Sequence, residues 1–183
     1  HGEDLVLSIQ EDGFLLDAFH SAEAKGEQDV YMNTAIFDRE LLLRLVVDGV
    51  SHGKYSVGEI LQEQGRAQNV VCYKQEGWFY HMHNMVEYFE ANMALLNASV
   101  REDLFRPERP ILTKIRDEAP AKYGLSSNVK NAMVADGCII EGTVENSIIF
   151  RGVKVGQGAV VKNSIVMQGS VIDDNAQLDY VIL

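Results

Sequence analysis

Four copies of one short pattern follow one another in the second half of the chain: Val129-Lys130-Asn131-Ala132-Met133-Val134, Val144-Glu145-Asn146-Ser147-Ile148-Ile149, Val161-Lys162-Asn163-Ser164-Ile165-Val166 and the partial copy Leu178-Asp179-Tyr180-Val181-Ile182-Leu183. Their starts are 15, 17 and 17 residues apart. Shorter related units lie between them, with a spacing of about six residues, so that three units make one coil. One coil cannot bury its own aliphatic row, whereas stacked coils bury all the rows together. The repeat predicts a left-handed parallel β-helix of hexapeptide repeats, three to four coils long.

Two other interpretations of this repeat are open to test. A run of strands from an antiparallel sandwich is disfavoured, because sandwiches impose no fixed short period. Hexapeptide β-helices also occur in acyltransferases and carbonic anhydrases, which need a histidine base or several histidine ligands. Residues 128–183 contain no histidine. The coils are therefore predicted to be a structural or assembly module, and a hexapeptide-repeat acyltransferase is disfavoured.

The first half of the chain has a different pattern, typical of part of an α/β domain. Two strands on either side of the Glu11-Asp12-Gly13 turn predict a hairpin. A helix is expected after Asp38, which can cap it, and to stop near Gly49. Ser56 and Asn84, each followed three positions later by glutamate, predict two more helix starts. The remaining predicted elements are a cap-like helix start at Ser99 and strands over Val30–Phe37, Asn69–Lys74 and Trp78–Met82.

All three prolines of the chain, Pro107, Pro110 and Pro120, lie in one short segment between these halves. Proline fixes φ and lacks a backbone donor, which favours an extended connector. The sequence therefore predicts three regions: an α/β domain over residues 1–105, a proline-bearing linker over 106–127 and the β-helix over 128–183.

Composition narrows the classes of partner. The 183 residues carry 16 Lys and Arg against 27 Asp and Glu, a formal charge of −11, which disfavours nucleic acid and anionic membrane surfaces. Apolar runs are too short to span a bilayer. Two isolated cysteines, Cys72 and Cys138, suggest neither a disulfide framework nor a thiolate metal site, so a reducing, cytoplasmic setting is expected. The start at His1, without methionine, suggests a piece of a longer protein.

Residues 77–92 read Gly-Trp-Phe-Tyr-His-Met-His-Asn-Met-Val-Glu-Tyr-Phe-Glu-Ala-Asn. This stretch resembles the Gly-Tyr-Trp-x-Asp-Val-Gly-Thr … Glu-Ala-Asn motif of glucose-1-phosphate adenylyltransferases, also called ADP-glucose pyrophosphorylases. Residues 32–37, Arg109–Thr113 and Pro120–Tyr123 agree with the same family in the same order. Residues 131–168 look most like the GlgD-type subunit of glycogen biosynthesis, and the resemblance covers nearly the whole chain.

The resemblance implies the C-terminal portion of such a subunit: the tail of a Rossmann-like nucleotidyltransferase domain, followed by a β-helix that supports assembly. The complete family enzyme joins ATP and glucose 1-phosphate into ADP-glucose and pyrophosphate, with Mg²⁺ expected as cofactor. Its Gly-rich nucleotide loop and its Glu-Lys-Pro sugar-phosphate motif are absent from these 183 residues. This chain is therefore expected to be inactive alone, and no catalytic residue is predicted in it.

Two positions depart from the family's site. His81 replaces the metal-binding Asp, and imidazole is a poor ligand for Mg²⁺, which prefers oxygen. Tyr31 replaces a small Ser that faces the sugar phosphate in the active family. Both changes indicate a degenerate site. His81 and His83 share a strand face and could form a transition-metal pair, but two ligands without a third make no complete metal site, so none is predicted.

Two further features are interpreted as structural and not as functional. Lys114, Arg116 and Lys122 could receive an anionic effector, but Asp117 and Glu118 lie among them, so a solvated face is preferred. An apolar stripe, Leu41, Leu42, Leu45 and Val46, is predicted to be core.

The resulting functional prediction is a regulatory or assembly subunit of ADP-glucose pyrophosphorylase in glycogen biosynthesis. Its expected partner is a catalytic pyrophosphorylase subunit in a hetero-oligomer, with a tetramer as the expected size. Exposed apolar surface on the α/β remnant predicts self-association as the alternative. A catalytically active sugar-nucleotide pyrophosphorylase, with its N-terminal half outside this chain, is the alternative function.

Overall fold

A computed structural model describes residues 4–20, 27–114 and 117–183 of the chain. It divides into two compact units, His1–Glu76 and Gly77–Leu183, which are called unit 1 and unit 2 below. Unit 1 is the α/β part, and unit 2 contains the repeats.

Unit 1 contains a small antiparallel sheet and two helices. Strands β1 (Leu5–Ile9) and β2 (Leu15–His20) form the predicted hairpin, and β3 (Asp29–Val30) pairs with the other edge of β1. Helices α1 (Arg39–Ser51) and α2 (Val57–Gln64) follow. The sheet and α2 enclose a core of Leu5, Leu15, Ala18, Tyr31 and Leu61.

The helix starts in unit 1 are confirmed by their caps. The Asp38 side chain accepts from the backbone N–H groups of Glu40 and Leu41, 2.9 and 3.1 Å away. Ser56 and Glu59 form a complete capping box, in which each side chain bonds the other residue's backbone. The predicted end of α1 at Gly49 is wrong, because the helix continues to Ser51.

Three strand predictions are too long or wrong. The expected strand over Val30–Phe37 is reduced to the two residues of β3, and the one over Asn69–Lys74 to an isolated bridge between Phe14 and Val71. Residues 78–82 form no strand among the residues that the structure describes. The sequences favour strands, but a strand needs a partner to form a ladder.

Near the start of unit 2 lies the segment 78–83, and helices α3 (Met85–Ala94) and α4 (Ala98–Leu104) follow it. Asn84 caps α3 as predicted, since its side chain accepts from the Glu87 N–H at 3.0 Å. The cap of α4 is Asn97, not the predicted Ser99, which lies inside the helix. Among the described residues, no helix of either unit is both long and apolar enough to cross a membrane.

The repeats form a parallel β-solenoid of about three turns over residues 122–179. Its register is the predicted one: Val129 pairs with Val144, Val144 with Val161, and Val161 with Leu178. The antiparallel sandwich is therefore wrong. The strands of the solenoid are β4 (Lys122–Tyr123), β5 (Asn128–Val134), β6 (Ile139–Ile140), β7 (Thr143–Ile149), β8 (Lys154–Val155), β9 (Val160–Lys162), β10 (Ile165–Val166), β11 (Val171–Ile172) and β12 (Gln177–Asp179).

The corners of the solenoid are built from repeated asparagines. Asn131, Asn146 and Asn163 adopt φ of 47°, 45° and 46°, the left-handed region that asparagine tolerates better than most residues. Their side-chain amides bond from coil to coil, Asn131 to Asn146 at 2.7 Å and Asn146 to Asn163 at 3.5 Å. The last amide donates to the carboxylate of Asp179 at 2.8 Å. Identical corners therefore fix the stacking of the coils.

Two strands of the solenoid, β7 and β10, are buried on both faces. Ile149 and Val166 belong to the internal core, while their neighbours Ile148 and Ile165 lie outside it and are nevertheless buried. Helix α3 packs against β7, the strand that carries Ile148, and the ring of Phe89 lies 6.3 Å from that of Tyr180.

The first coil already includes Lys122, within the segment predicted as linker. The boundaries of the three predicted regions stay predictions.

Candidate functional site

The two residues predicted to occupy the family's site belong to different units, and each is described by itself. Tyr31 follows β3 in unit 1, where its backbone N–H donates to the Leu5 carbonyl at 2.8 Å. Its side chain is 8% exposed and packs with Leu5, Leu15 and Leu61. Burial raises the pKa of the Tyr31 phenol. The position that would face a sugar phosphate thus carries a core side chain.

His81 lies in the extended segment 78–83 of unit 2. Its imidazole is 4.2 Å from that of His83, measured between ring centroids, and 6.1 Å from the ring of Phe79. Trp78 and Tyr80 stack on each other at 6.1 Å. Alternate residues therefore share a side, as predicted for His81 and His83, although no strand ladder forms here among the described residues.

Two carboxylates of α3 hold this segment. Glu87 accepts from the backbone N–H of His83 at 2.7 Å, and its oxygen lies 3.2 Å from the His83 Nδ1. The hydrogen bond from that backbone N–H is the main reason that the pKa of Glu87 is lowered. The phenol of Tyr80 donates to Glu90 at 2.7 Å, and this bond raises the Tyr80 pKa.

Asp103, in α4, anchors the start of the same segment. Its carboxylate accepts from the Trp78 backbone N–H and from the Arg106 guanidinium, and the Arg109 guanidinium is 3.7 Å away. These donors, the Trp78 N–H first, lower the pKa of Asp103. Gly77 has φ +110° and a Cβ there would lie 2.5 Å from an Asp103 oxygen, so the turn requires glycine.

Sequence reasoning missed Asp103 and Glu90. Asp103 is 25 residues from the backbone N–H that it accepts from, and no local pattern marks such a pairing. The position of Glu87, three residues after Asn84, predicted a helix start but not the bond of its carboxylate to His83.

The donor set of this segment does not fit Mg²⁺. Position 81 offers imidazole nitrogen where that ion prefers oxygen. The two carboxylates of α3, those of Glu87 and Glu90, bond to His83 and Tyr80. No chemical step is assigned to Mg²⁺ in this chain.

The other sequence-derived candidates are also located. Of the stripe predicted as core on α1, Leu45 is buried, but Leu42 and Val46 are exposed, so that prediction is wrong for these two residues. Lys122 lies in β4, and Arg116 lies outside the described residues. Unit 1 has an open cavity of about 480 Å³ between β2 and α2, lined in part by Asp17, Glu63 and Arg66. Tyr31 does not line it.

Comparisons with known proteins agree with the two-part architecture. A family described as "GlmU-like, C-terminal hexapeptide" matches residues 119–183, which contain the solenoid. The "Glycogen biosynthesis protein GlgD" of Geobacillus stearothermophilus is 45% identical over 69% of this chain and 37% of its own length. The protein of the same name from Bacillus subtilis is 36% identical over 69% of this chain and 37% of its own length. The "Glucose-1-phosphate adenylyltransferase" of Acetivibrio thermocellus is 30% identical over 94% of this chain and 42% of its own length.

The chain belongs to the glucose-1-phosphate adenylyltransferase family, in its GlgD-type branch. It corresponds to the C-terminal portion of these proteins. The chain spans less than half the length of the curated relatives it matches.

Proposed function

We propose that this GlgD-type chain is the regulatory or assembly part of an ADP-glucose pyrophosphorylase and supplies no catalytic group. The observation that carries the proposal is the set of contacts that residues 78–83 make with the carboxylates of α3. Imidazole stands at position 81, and Glu87 and Glu90 bond to His83 and Tyr80 within unit 2. Nucleotidyl transfer needs carboxylates that hold a metal ion against the phosphates. This segment is organised for local structure instead.

The packing of Tyr31 supports the same proposal. In the family that the sequence resembles, a small serine at this position faces the sugar phosphate, whereas the tyrosine ring here fills space in the unit 1 core. Removing the ring would open a cavity in that core, so the side chain has a structural role.

The relatives supply the biological context of the proposal. Two of them bear the name glycogen biosynthesis protein, and we place this chain in the same process. Its partner is a catalytic ADP-glucose pyrophosphorylase subunit, in a cytoplasmic hetero-oligomer of expected tetrameric size. The solenoid suits assembly, because stacked coils give a rigid, extended surface.

A catalytically active pyrophosphorylase is the second candidate. Identity of 30% to a glucose-1-phosphate adenylyltransferase, over 94% of the chain, favours it. In that case the remaining catalytic groups would come from outside these 183 residues, with His81 tolerated at the metal position.

The decisive assay compares this chain, within its full natural polypeptide, alone and with the glucose-1-phosphate adenylyltransferase of Geobacillus stearothermophilus, which is 34% identical over 60% of the chain. Pyrophosphate release from ATP and glucose 1-phosphate is measured with Mg²⁺ and with EDTA. We expect no release from the polypeptide alone, a mixed oligomer on co-purification, and a changed rate in the mixture.

Mg²⁺-dependent release by the polypeptide alone would overturn the proposal. A His81→Ala variant then sharpens the result. The second candidate predicts that this variant changes the Mg²⁺ dependence of release, because position 81 lies at the metal. Our proposal predicts that the mixed enzyme with this variant keeps the rate of the mixture with the original chain, since no group of this chain takes part in the reaction.

A further inference from the structure

We infer that His81 and His83 form a binding site for a borderline divalent transition metal ion such as Ni²⁺ or Zn²⁺, and that Glu87 orients one of the two rings. The site lies within unit 2 and is compatible with either candidate function, because ion binding here requires no catalytic step. It replaces the Mg²⁺ site that the donor set of this segment does not fit.

The two imidazoles lie close enough to share one ion. Their ring centroids are 4.2 Å apart, and one nitrogen of each ring lies within 4.8 Å of one nitrogen of the other. An ion about 2.0–2.1 Å from each nitrogen, with tetrahedral angles, holds the two nitrogens about 3.4 Å apart. Both rings lie on the same side of the extended segment, so small side-chain rotations close this difference without a change of the backbone.

Glu87 supplies the feature that spacing alone could not predict. Its carboxylate oxygen lies 3.2 Å from Nδ1 of His83, and the two side chains are only 17% and 20% exposed. The backbone N–H of His83 lowers the pKa of Glu87, so the carboxylate is ionised at neutral pH and can only accept. The neutral His83 ring therefore carries its proton on Nδ1, which makes Nε2 the metal-binding nitrogen. Metal-bound histidines usually donate to a carboxylate in this way.

The segment that carries both rings is held in place before any ion binds. Carboxylates of α3 and α4 accept from it at three points, the backbone N–H groups of Trp78 and His83 and the phenol of Tyr80. These points lie on both sides of position 81. A ligand pair on a fixed backbone loses less conformational freedom when it binds an ion.

The chemistry of the donors selects the class of ion. Imidazole nitrogen suits Zn²⁺, Cu²⁺ and Ni²⁺, whereas Mg²⁺ prefers oxygen. Two protein nitrogens leave further coordination positions open, and water fills them. The charge of −11 attracts cations of every kind to the chain. Discrimination between Ni²⁺ and Mg²⁺ is therefore the property that distinguishes this site from general cation attraction.

The test is a calorimetric titration of the 183-residue chain with Ni²⁺, with and without excess Mg²⁺. His1 is replaced by alanine in every protein, because a terminal imidazole and amine can bind the same ion. His81→Asn and His83→Asn each remove one imidazole of the site. The matched controls are His52→Asn, which removes an imidazole at the end of α1, and Glu90→Gln, which removes the other carboxylate of α3.

We expect one Ni²⁺ per chain, no competition from Mg²⁺, and binding at least about tenfold weaker in each of the two site variants. His52→Asn and Glu90→Gln should bind Ni²⁺ as the parent does. Glu87→Gln should weaken binding about tenfold, since it removes the carboxylate that orients the ring. It should also move the His83 proton away from Nδ1 in the ¹⁵N spectrum, a change that a merely structural role of Glu87 would not produce.

Equal affinity for Ni²⁺ in His81→Asn and in the parent would overturn the inference. Displacement of Ni²⁺ by an equal concentration of Mg²⁺, or an equal loss of affinity in His52→Asn, would do the same. Where a site variant does not fold by circular dichroism, the parent decides by proton magnetic resonance. Paramagnetic Ni²⁺ should broaden the ring signals of His81 and His83 before those of His20 and His52, and the reverse order overturns the inference.

Discussion

The solenoid and unit 1 differ in where their strands find partners. Ten buried residues of the solenoid core are all 3% exposed or less, and each coil pairs with the next through the same positions. Among its described residues, unit 1 has a three-stranded sheet, a cluster of five buried residues and an apolar helix face open to solvent. The repeat supplies its own neighbours, whereas an α/β layer depends on strands and helices that are distant in sequence.

The largest effect is expected from the solenoid core. Ile140→Ala removes a fully buried side chain, and such changes cost roughly 2–5 kcal/mol through lost burial and a residual cavity. The matched control is the preceding residue in β6, Ile139→Ala, where the side chain is 37% exposed and the cost should stay below about 1 kcal/mol. Urea unfolding, followed by circular dichroism, measures both. Equal losses would show that the solenoid core is not tightly packed.

These differences explain what the sequence could predict of the fold. Valine and leucine at 129, 144, 161 and 178 pair as their spacing predicts, because each coil meets a copy of itself. The strands at 30–37 and 69–74 were overpredicted, because strand propensity acts only where a partner strand is present. Local patterns were sufficient for the caps at Asp38, Ser56 and Asn84.

For the candidate site, too, local patterns in the sequence predict some features, whereas contacts between distant residues determine the others. That His81 and His83 lie on one side of an extended segment follows from alternation, which is local. The burial of Tyr31 among Leu5, Leu15 and Leu61 depends on how β1, β2 and α2 pack. The anchor at Asp103 depends on a contact across 25 residues. Neither could be read from spacing.

The next largest effect is expected at the corner asparagines of the solenoid, Asn131, Asn146 and Asn163. Asn146→Ala places alanine at φ 45°, which costs about 1–2 kcal/mol, and removes the amide bonds to Asn131 and Asn163. Asn146→Gly keeps the left-handed backbone and removes only the amide bonds. Glycine should therefore be less destabilising than alanine by the urea midpoint. If alanine were the better tolerated of the two, the backbone would not limit the corner.

A cap in unit 1 gives a smaller effect, about 1 kcal/mol. Ser56→Ala removes the oxygen that accepts from the Glu59 N–H and opens the capping box. Helix α2 has only eight residues and relies on its cap and its contact with β2. Amide exchange at Ile60 and Leu61 should accelerate, while the solenoid amides should not change. Ser56→Thr keeps a capping hydroxyl and should exchange as the original protein does; matching acceleration in the threonine variant would contradict the cap.

The smallest effect on stability is expected at Asp103, because its partners Arg106 and Arg109 are about half exposed and ion pairs near the surface contribute little. Its pKa is lowered in the folded chain, so its contribution is present above the unfolded value of about 3.9 and is lost as pH falls through the folded value. Trp78, the only tryptophan, donates to this carboxylate and reports the change. Its fluorescence should stay constant at neutral pH and shift below about pH 4. Asp103→Asn should abolish that acid shift, whereas Glu90→Gln, which alters only the Tyr80 bond, should retain it. A shift that survived in Asp103→Asn would place the titrating group elsewhere in the segment, and the anchor would then be the Trp78 packing and not the carboxylate.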